Sequence, residues 1–254
     1  MSFREIVKDA SLSFGFYRQA RIIYRYTHKQ AMDLYLEDKK NYSQLLPPDS
    51  VLCFDVGANA GRISEILLEL GHRVVAFEPQ LQCVREVKAR CAPYKQRLQL
   101  LQTALGDTPG TAELFVNKSS VRTSLDANWE QDAVVRTVQV PMTTLDSAIQ
   151  RFGVPQYCKI DVEGWELHVL KGLHQPIPLI SFEYHQDEGR MQDAYACLDY
   201  LNRLIEITVN VASNEKTELV LDEWLKLAMF KDLFEKDIKN RDGFSYGDIY
   251  VRMR

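Results

Sequence analysis

None of the five cysteines (Cys53, Cys83, Cys91, Cys158 and Cys197) forms a CxxC pair, and an odd, scattered set provides neither a zinc site nor a disulfide framework. That usage fits a reducing compartment, so the expected location is the cytoplasm. No apolar run approaches the roughly 20 residues that a bilayer span requires. The first residues also lack the continuous apolar stretch and small-residue cleavage site of a secretory signal. Basic charge is not in excess. With 31 Lys and Arg against 35 Asp and Glu the net charge is −4, which gives no general attraction to nucleic acid, and none is expected as a partner. Repeats and low-complexity tracts are missing too. What remains is a chain with 46% hydrophobic and 26% charged residues, a globular composition. Its 254 residues suffice for one α/β domain with an appendage, whereas two full domains would be crowded.

Charge is unevenly distributed. Arg4, Lys8, Arg18, Arg21, Arg25 and Lys29 against Glu5 and Asp9 make residues 1–30 carry +4, leaving −8 for the rest. Apolar residues at three- and four-residue spacings (Phe3, Ile6, Val7 and Ala10, then Phe16, Ala20, Ile23 and Tyr24) predict helix across 3–46. Pro47-Pro48-Asp49 ends it, because proline removes a backbone donor and restricts its predecessor. The expected organisation is therefore a helical extension over 1–46 and a main domain over 47–254. The basic, aromatic-rich extension packs on its own domain or on another copy of the chain in one reading, and touches an anionic membrane or an acidic acceptor in another.

Beyond residue 50, strand-like runs alternate with amphipathic helical stretches, which predicts a mostly parallel, Rossmann-like α/β sheet with helices on both faces. Strands are expected at 51–56, 73–77, 98–103, 156–161, 179–184, 205–211 and 248–252, and helices at 63–70, 81–91, 145–152, 165–172, 191–203 and 222–239. Thr111–Val116 and Arg136–Pro141 form a possible added hairpin. The polar stretch 117–135 between them reads as a long surface loop, and such loops in compact domains are often functional.

The strand Val51–Phe54 runs into Asp55-Val56-Gly57-Ala58-Asn59-Ala60-Gly61 and then into a helix. Glycines let backbone turn sharply and approach a ligand, and the helix start offers unpaired N–H groups and a positive dipole end to a carboxylate or phosphate. Glu78 ends the second strand, 21 residues beyond Gly57, where an acid accepts the ribose hydroxyls of an adenosine group. A dinucleotide-binding turn would carry a glycine where Asn59 stands, so the turn suits a ligand with an amino-acid end better than a pyrophosphate. The structural alternative is a tight strand-to-helix turn beside a solvated acid. A second constellation closes strands four and five: Lys159-Ile160-Asp161-Val162-Glu163-Gly164-Trp165-Glu166 and Ser181-Phe182-Glu183-Tyr184-His185. Ligands of open α/β sheets bind beyond the carboxyl ends of the strands, so Asp161, Glu163, Glu183 and His185 should face the same crevice as the glycine turn. Glu163 and Glu166 equally suit a helix start, where the dipole stabilises acids.

These residues resemble the FkbM-type methyltransferases, a branch of the Rossmann-like enzymes that use S-adenosyl-L-methionine. The matching segments are FDVGANAGRIS (54–64), VVAFEP (74–79), TALGDTPGTAEL (103–114), TTLDSAI (143–149), KIDVEGWELHVLKG (159–172) and ISFEYH (180–185). The resemblance implies O-methylation of a hydroxyl on a sugar or another secondary-metabolite scaffold. It implies that Asp55, Gly57, Ala58, Asn59 and Gly61 hold the amino-acid end of the cofactor, Glu78 its ribose, and Ala104 its adenine. Asp161 falls where cofactor and acceptor meet.

An alcohol acceptor must lose its proton. His185 has an ordinary pKa near neutrality and is the candidate general base, with Asp161 and Glu183 as its catalytic neighbours. Alternatively Asp161, Glu163 and Glu183 gather a Mg²⁺ ion that acidifies the hydroxyl. Two other functions fit parts of the pattern: an NAD-dependent oxidoreductase, and a catalytically silent methyltransferase-like binding module.

Overall fold

The computed structural model describes residues 10–13, 15–118, 122–129, 134–186, 190–214 and 217–253. The expected helical stretch over 3–46 is interrupted within those residues: α1 (Tyr17–Thr27) and α2 (Lys29–Leu45) meet at His28, whose backbone is extended. Neither glycine nor proline marks this break. The Thr27 hydroxyl turns back onto the Ile23 carbonyl and the His28 ring stacks on Tyr24, which closes α1 with local polar and aromatic contacts. Residues 3–9 and 14 of the expected helix lie outside the described residues.

The main sheet contains β1 (Leu52–Val56), β2 (Arg73–Phe77), β3 (Leu98–Leu101), β7 (Tyr157–Ile160), β8 (Leu179–His185), β9 (Ile207–Ser213), β10 (Leu225–Lys226) and β11 (Tyr246–Met253). Their order is β10-β9-β11-β8-β7-β1-β2-β3. The five strands from β3 to β8 are parallel, as their connections through helices α3 (Arg62–Glu69), α4 (Leu81–Arg90), α5 (Leu145–Phe152) and α6 (Glu166–Lys171) require. β11 runs antiparallel to both its neighbours, β8 and β9. Helices α7 (Arg190–Leu204) and α8 (Leu227–Lys236) follow in the last third of the chain.

Two expected elements differ. The strand over 98–103 stops at Leu101, and Ala104–Leu105 forms β4 in a separate three-stranded sheet. There β4 pairs in parallel with β6 (Val134–Thr143), and β6 pairs antiparallel with β5 (Gly110–Asn117). The hairpin is thus an added sheet. The helix expected over 222–239 is shortened to Leu227–Lys236, because Leu225 and Lys226 pair with Val209 and Thr208 instead. The loop over 117–135 is not free of structure either: Ser124 bridges Phe115, whose N–H donates to the Ser124 carbonyl at 2.9 Å. Residues 119–121 and 130–133 of that loop lie outside the described residues.

Strand alternation gives the main sheet two unlike faces. Phe54, Val56, Cys158, Ile160, Ile180, Phe182, Ile249 and Val251 point to an apolar core with α5, α7 and α8. The alternate residues of the paired strands put Asp55, Lys159 and Ser181 in one row, with Asp248 opposite Glu183 and Tyr246 opposite His185 further along. This second face is apolar only toward the amino ends of the parallel strands, where Cys53, Tyr157 and Tyr250 pack under Tyr42, Ile66 and Leu67. Its charges therefore gather at the carboxyl ends. Among the described residues no helix is long and apolar enough to cross a membrane.

Candidate active site

A cavity of about 640 Å³ opens over those carboxyl ends. β1 has β2 on one side and β7 on the other, so the chain winds away in both directions and leaves a crevice at that point. Gly57, Ala58, Asn59, Glu78 and Ala104 line it, as do Asp55, Asp161, Glu163, Glu183 and His185. The two constellations separated in sequence thus share one space. Gly61 is the exception among the cofactor candidates: it does not line the cavity. Its left-handed backbone (φ 76°) begins α3, and an added Cβ would stand 3.1 Å from Val87, so this glycine serves helix packing.

Gly57 has a sharper reason to be glycine. At φ 80° a side chain is disfavoured, and a Cβ there would fall 1.8 Å from the Asp161 carbonyl oxygen. The end of β1 and the end of β7 can approach only without one. Asn59, where a dinucleotide turn would carry glycine, is itself left-handed (φ 46°), a conformation asparagine tolerates better than most residues. Its N–H donates to Glu78 Oε2 at 2.8 Å, and the Gln80 N–H donates to Oε1 at 2.7 Å. Glu78 is therefore a built part of the turn. Burial pushes its carboxyl up to about 7 against those two donors. Each carboxylate oxygen keeps a further lone pair for a hydroxyl.

At the other end, the Lys159 ammonium lies 3.2 Å from Asp161 Oδ2 and 3.2 Å from Asp248 Oδ1. Burial opposes its charge, but the two carboxylates outweigh burial and raise the lysine well above its ordinary value. Burial in turn raises Asp248, with Lys159 opposing. His185 Nε2 stands 3.2 Å from Glu183 Oε2. Burial disfavours the imidazolium, yet the Glu183 carboxylate prevails and raises the histidine. Glu183 is itself raised by burial and by the charge of Asp161. Tyr246 stacks beside the His185 ring and Trp129 meets it edge-on, while the Arg190 guanidinium lies 3.9 Å over Trp129.

Glu166 has a structural task. Its Oε1 accepts from the Val162 N–H at 3.1 Å and the Gly164 N–H at 3.3 Å, which ties the loop carrying Asp161 and Glu163 to the start of α6. Burial and the Glu183 charge push it up to about 7. Glu163 is left-handed (φ 55°), and its carbonyl accepts from the Ser124 hydroxyl at 2.6 Å. Trp129 packs on Gly164, where a Cβ would meet the indole at 2.4 Å. The segment 122–129 is thus a wall of the cavity.

Asp161, Glu163 and Glu183 each offer an oxygen within 4.8 Å of the others, a separation within reach of one cation. Asp161 already faces the Lys159 ammonium, so the set suits a hard dication poorly. Asp248, Tyr246, Trp129 and Arg190 are not among the residues the sequence singles out, and Lys159, which heads the second constellation, is not one of its four candidate site residues. The available signal was Lys159 itself, a charge inside the apolar run Tyr157–Ile160 that burial forces to be paired.

The strand order, the glycine turn after β1 and the acid after β2 define a class I methyltransferase-like fold. A family model described as the methyltransferase FkbM domain matches residues 55–219. The chain belongs to that family of methyltransferases. No curated protein matches the sequence. Among solved structures it is similar to an O-methyltransferase from Bacillus cereus in complex with SAH (9% identity, 92% of this chain and 91% of that one covered, TM-score 0.48). It is also similar to precorrin-6y C5,15-methyltransferase from Geobacter metallireducens GS-15 (10% identity, 85% and 86% covered, TM-score 0.46). These are distant likenesses, and the family assignment rests on the domain match.

Proposed function

We propose that the protein uses S-adenosyl-L-methionine to methylate a hydroxyl group on a small-molecule acceptor, a sugar or a comparable polyhydroxylated scaffold. The observation that carries this reading is the sharing of one cavity by the glycine turn, Glu78 and the His185–Glu183 pair. The cradle fits the cofactor: Gly57 keeps the turn open beside Asp161, Glu78 offers a carboxylate to ribose hydroxyls, and Ala104 and Leu105 supply a small apolar wall for the adenine. When bound, the cofactor supplies an electrophilic methyl group on sulfur.

The chain's own residues then have separate tasks. Asp161, fixed by Lys159 and by the loop that Glu166 ties down, orients the acceptor oxygen, and orientation supplies much of the rate of such a displacement. The Glu183 carboxylate, 3.2 Å from His185 Nε2, favours a hydrogen on that nitrogen, so that the Nδ1 lone pair takes the hydroxyl proton as the oxygen gains the methyl group. Glu183 also stabilises the imidazolium that results. The Trp129 and Tyr246 rings close the cavity around this pair.

S-adenosylhomocysteine is expected to raise the melting temperature and NAD to leave it unchanged; stabilisation by NAD alone overturns the cofactor reading. In a labelled-methyl assay over hydroxylated acceptors, His185→Ala should lower kcat by about 10²–10⁴-fold with binding of S-adenosylhomocysteine retained. Full activity of that variant removes His185 as the base. Exhaustive chelation should leave the wild-type rate unchanged.

A further inference from the structure

α1 lies outside the family-matched residues, and its charges face the chain's own body. The Arg18 Nε is buried, and Arg21 lines the cavity. Arg25 Nη1 stands 3.4 Å from Glu65 Oε2 of α3, with its guanidinium 4.0 Å from the centre of the Tyr35 ring. These arginines are the only charged residues in Tyr17–Thr27. The Tyr17 hydroxyl, itself buried, donates to Glu86 Oε2 of α4 at 2.6 Å. α1 is thus held down through its polar face, the reverse of an ordinary amphipathic surface helix.

The outward face is left uncharged. With about 3.6 residues per turn, Phe16, Gln19, Ile23, Tyr26 and Thr27 fall on one side, and all five are exposed. Phe16 is 43% exposed, Ile23 62% and Tyr26 78%, a degree of opening that marks a contact surface when such side chains adjoin. The exposed side of α2 differs, because it mixes Leu36 with Lys29, Asp33 and Lys40 in an ordinary solvated face. An anionic membrane is met by basic residues bordering an apolar stripe, and α1 turns its three arginines away. A second copy of the chain makes no such demand, since its arginines are turned inward in the same way and two uncharged surfaces meet. The stripe also matches itself end to end. Aromatic rings stand at both ends, Phe16 and Tyr26, with the small Ala20 and the branched Ile23 between them. In an antiparallel pair each Phe16 meets Tyr26 of the other copy, and each Ile23 fills the space beside Ala20.

We propose that two copies of the chain pair reversibly through α1, antiparallel about a two-fold axis that passes between Ala20 and Ile23. The 11 residues of α1 span about 16 Å, so this single-helix contact buries less than the roughly 1,200 Å² at which specific, stable interfaces begin. The pairing is therefore weak and concentration-dependent. It stands independently of the methyl-transfer reading.

The test is sedimentation velocity of the full chain from about 1 µM to about 300 µM, the range in which a small interface assembles. Wild type should pass from the mass of one chain to that of two. Ile23→Glu sets two like charges near the axis and should weaken the dimer at least about tenfold, leaving one chain throughout. Ile23→Lys should do the same, and an equimolar mixture of the two variants should recover the dimer, because opposite charges then meet. Ile23 is exposed in a single copy, so both variants should melt as dilute wild type does, which reports that they are folded. A wild-type chain that stays single at every concentration, a dimer that Ile23→Glu leaves intact, or a mixture that stays monomeric overturns the proposal. So does co-sedimentation of wild type with phosphatidylglycerol–phosphatidylcholine vesicles that Ile23→Glu abolishes, which assigns the stripe to a lipid surface.

Discussion

Replacing Lys159 by methionine removes a buried ammonium and keeps an unbranched side chain. In the native protein its side chain is 7% exposed and contacts two carboxylates, of which Asp161 is 36% exposed and Asp248 13%. Asp161 can be hydrated when the lysine is lost. Asp248 cannot, so it carries most of the penalty, and breaking a buried pair from one side costs about 3–5 kcal/mol. The loss has a pH signature. Burial already raises Asp248, and Lys159 opposes the rise, so Lys159→Met raises it further. Above the unfolded carboxyl pKa, about 3.9, the unfolded chain has released the proton that the variant's native state retains. Stability then falls with pH at up to about 1.4 kcal/mol per unit until the native pKa is passed. The deficit relative to wild type should therefore be smallest near pH 4 and grow as the pH rises above it. Urea denaturation of both proteins at several pH values measures it directly, and Lys159→Met/Asp248→Asn should recover much of the loss. A deficit that is constant with pH, or below about 1 kcal/mol at pH 7.5, would refute the reasoning that a buried charge is being orphaned.

Gly57→Ala should abolish cofactor binding and destabilise the fold by several kcal/mol, since the backbones of β1 and β7 must separate to admit the methyl group; wild-type-like melting would contradict the 1.8 Å approach to Asp161. S-adenosylhomocysteine affinity should fall as pH drops through about 7, because ribose hydroxyls donate to the ionised form of Glu78, and Glu78→Gln should weaken binding about tenfold and flatten that dependence. The rate at saturating substrates should rise with pH through a single ionisation above the ordinary histidine value, because Glu183 raises His185 and only the neutral ring accepts a proton. Glu183→Gln should move that ionisation downward; an unmoved profile would separate the pair.

Most of the parallel sheet could be read from the chain because each of its strands is a short apolar run that ends in polar or glycine residues, and each helix carries its own periodicity. Leu145–Phe152 and Arg73–Phe77 appear with the bounds their sequences predict. Failures came where pairing partners far along the chain decide. Leu225 lies in a stretch that reads as helix, yet Val209 takes it as a strand, and the guanidinium of Arg252 covers the adjacent Trp224. The site shows the same division. Gly57, Glu78 and Asp161 could be found because turn chemistry and strand ends are local properties. Trp129 could not, since a loop tryptophan gains its place only when Gly164 and the loop before α6 are brought to it.

β11 lies between β8 and β9, both of which precede it in sequence. During synthesis the strand bearing Glu183 and His185 is made some sixty residues before the strand that will cover its side, so the nascent chain holds two open sheet edges, one on β8 and one on β9. Asp248 and Tyr246 arrive with β11, which makes the charge balance around Lys159 the final step of assembly. A chain cut short before Tyr246 would still possess its glycine turn and Glu78. It would leave two adhesive edges and an unfinished acceptor side, and its fate would be aggregation rather than partial activity.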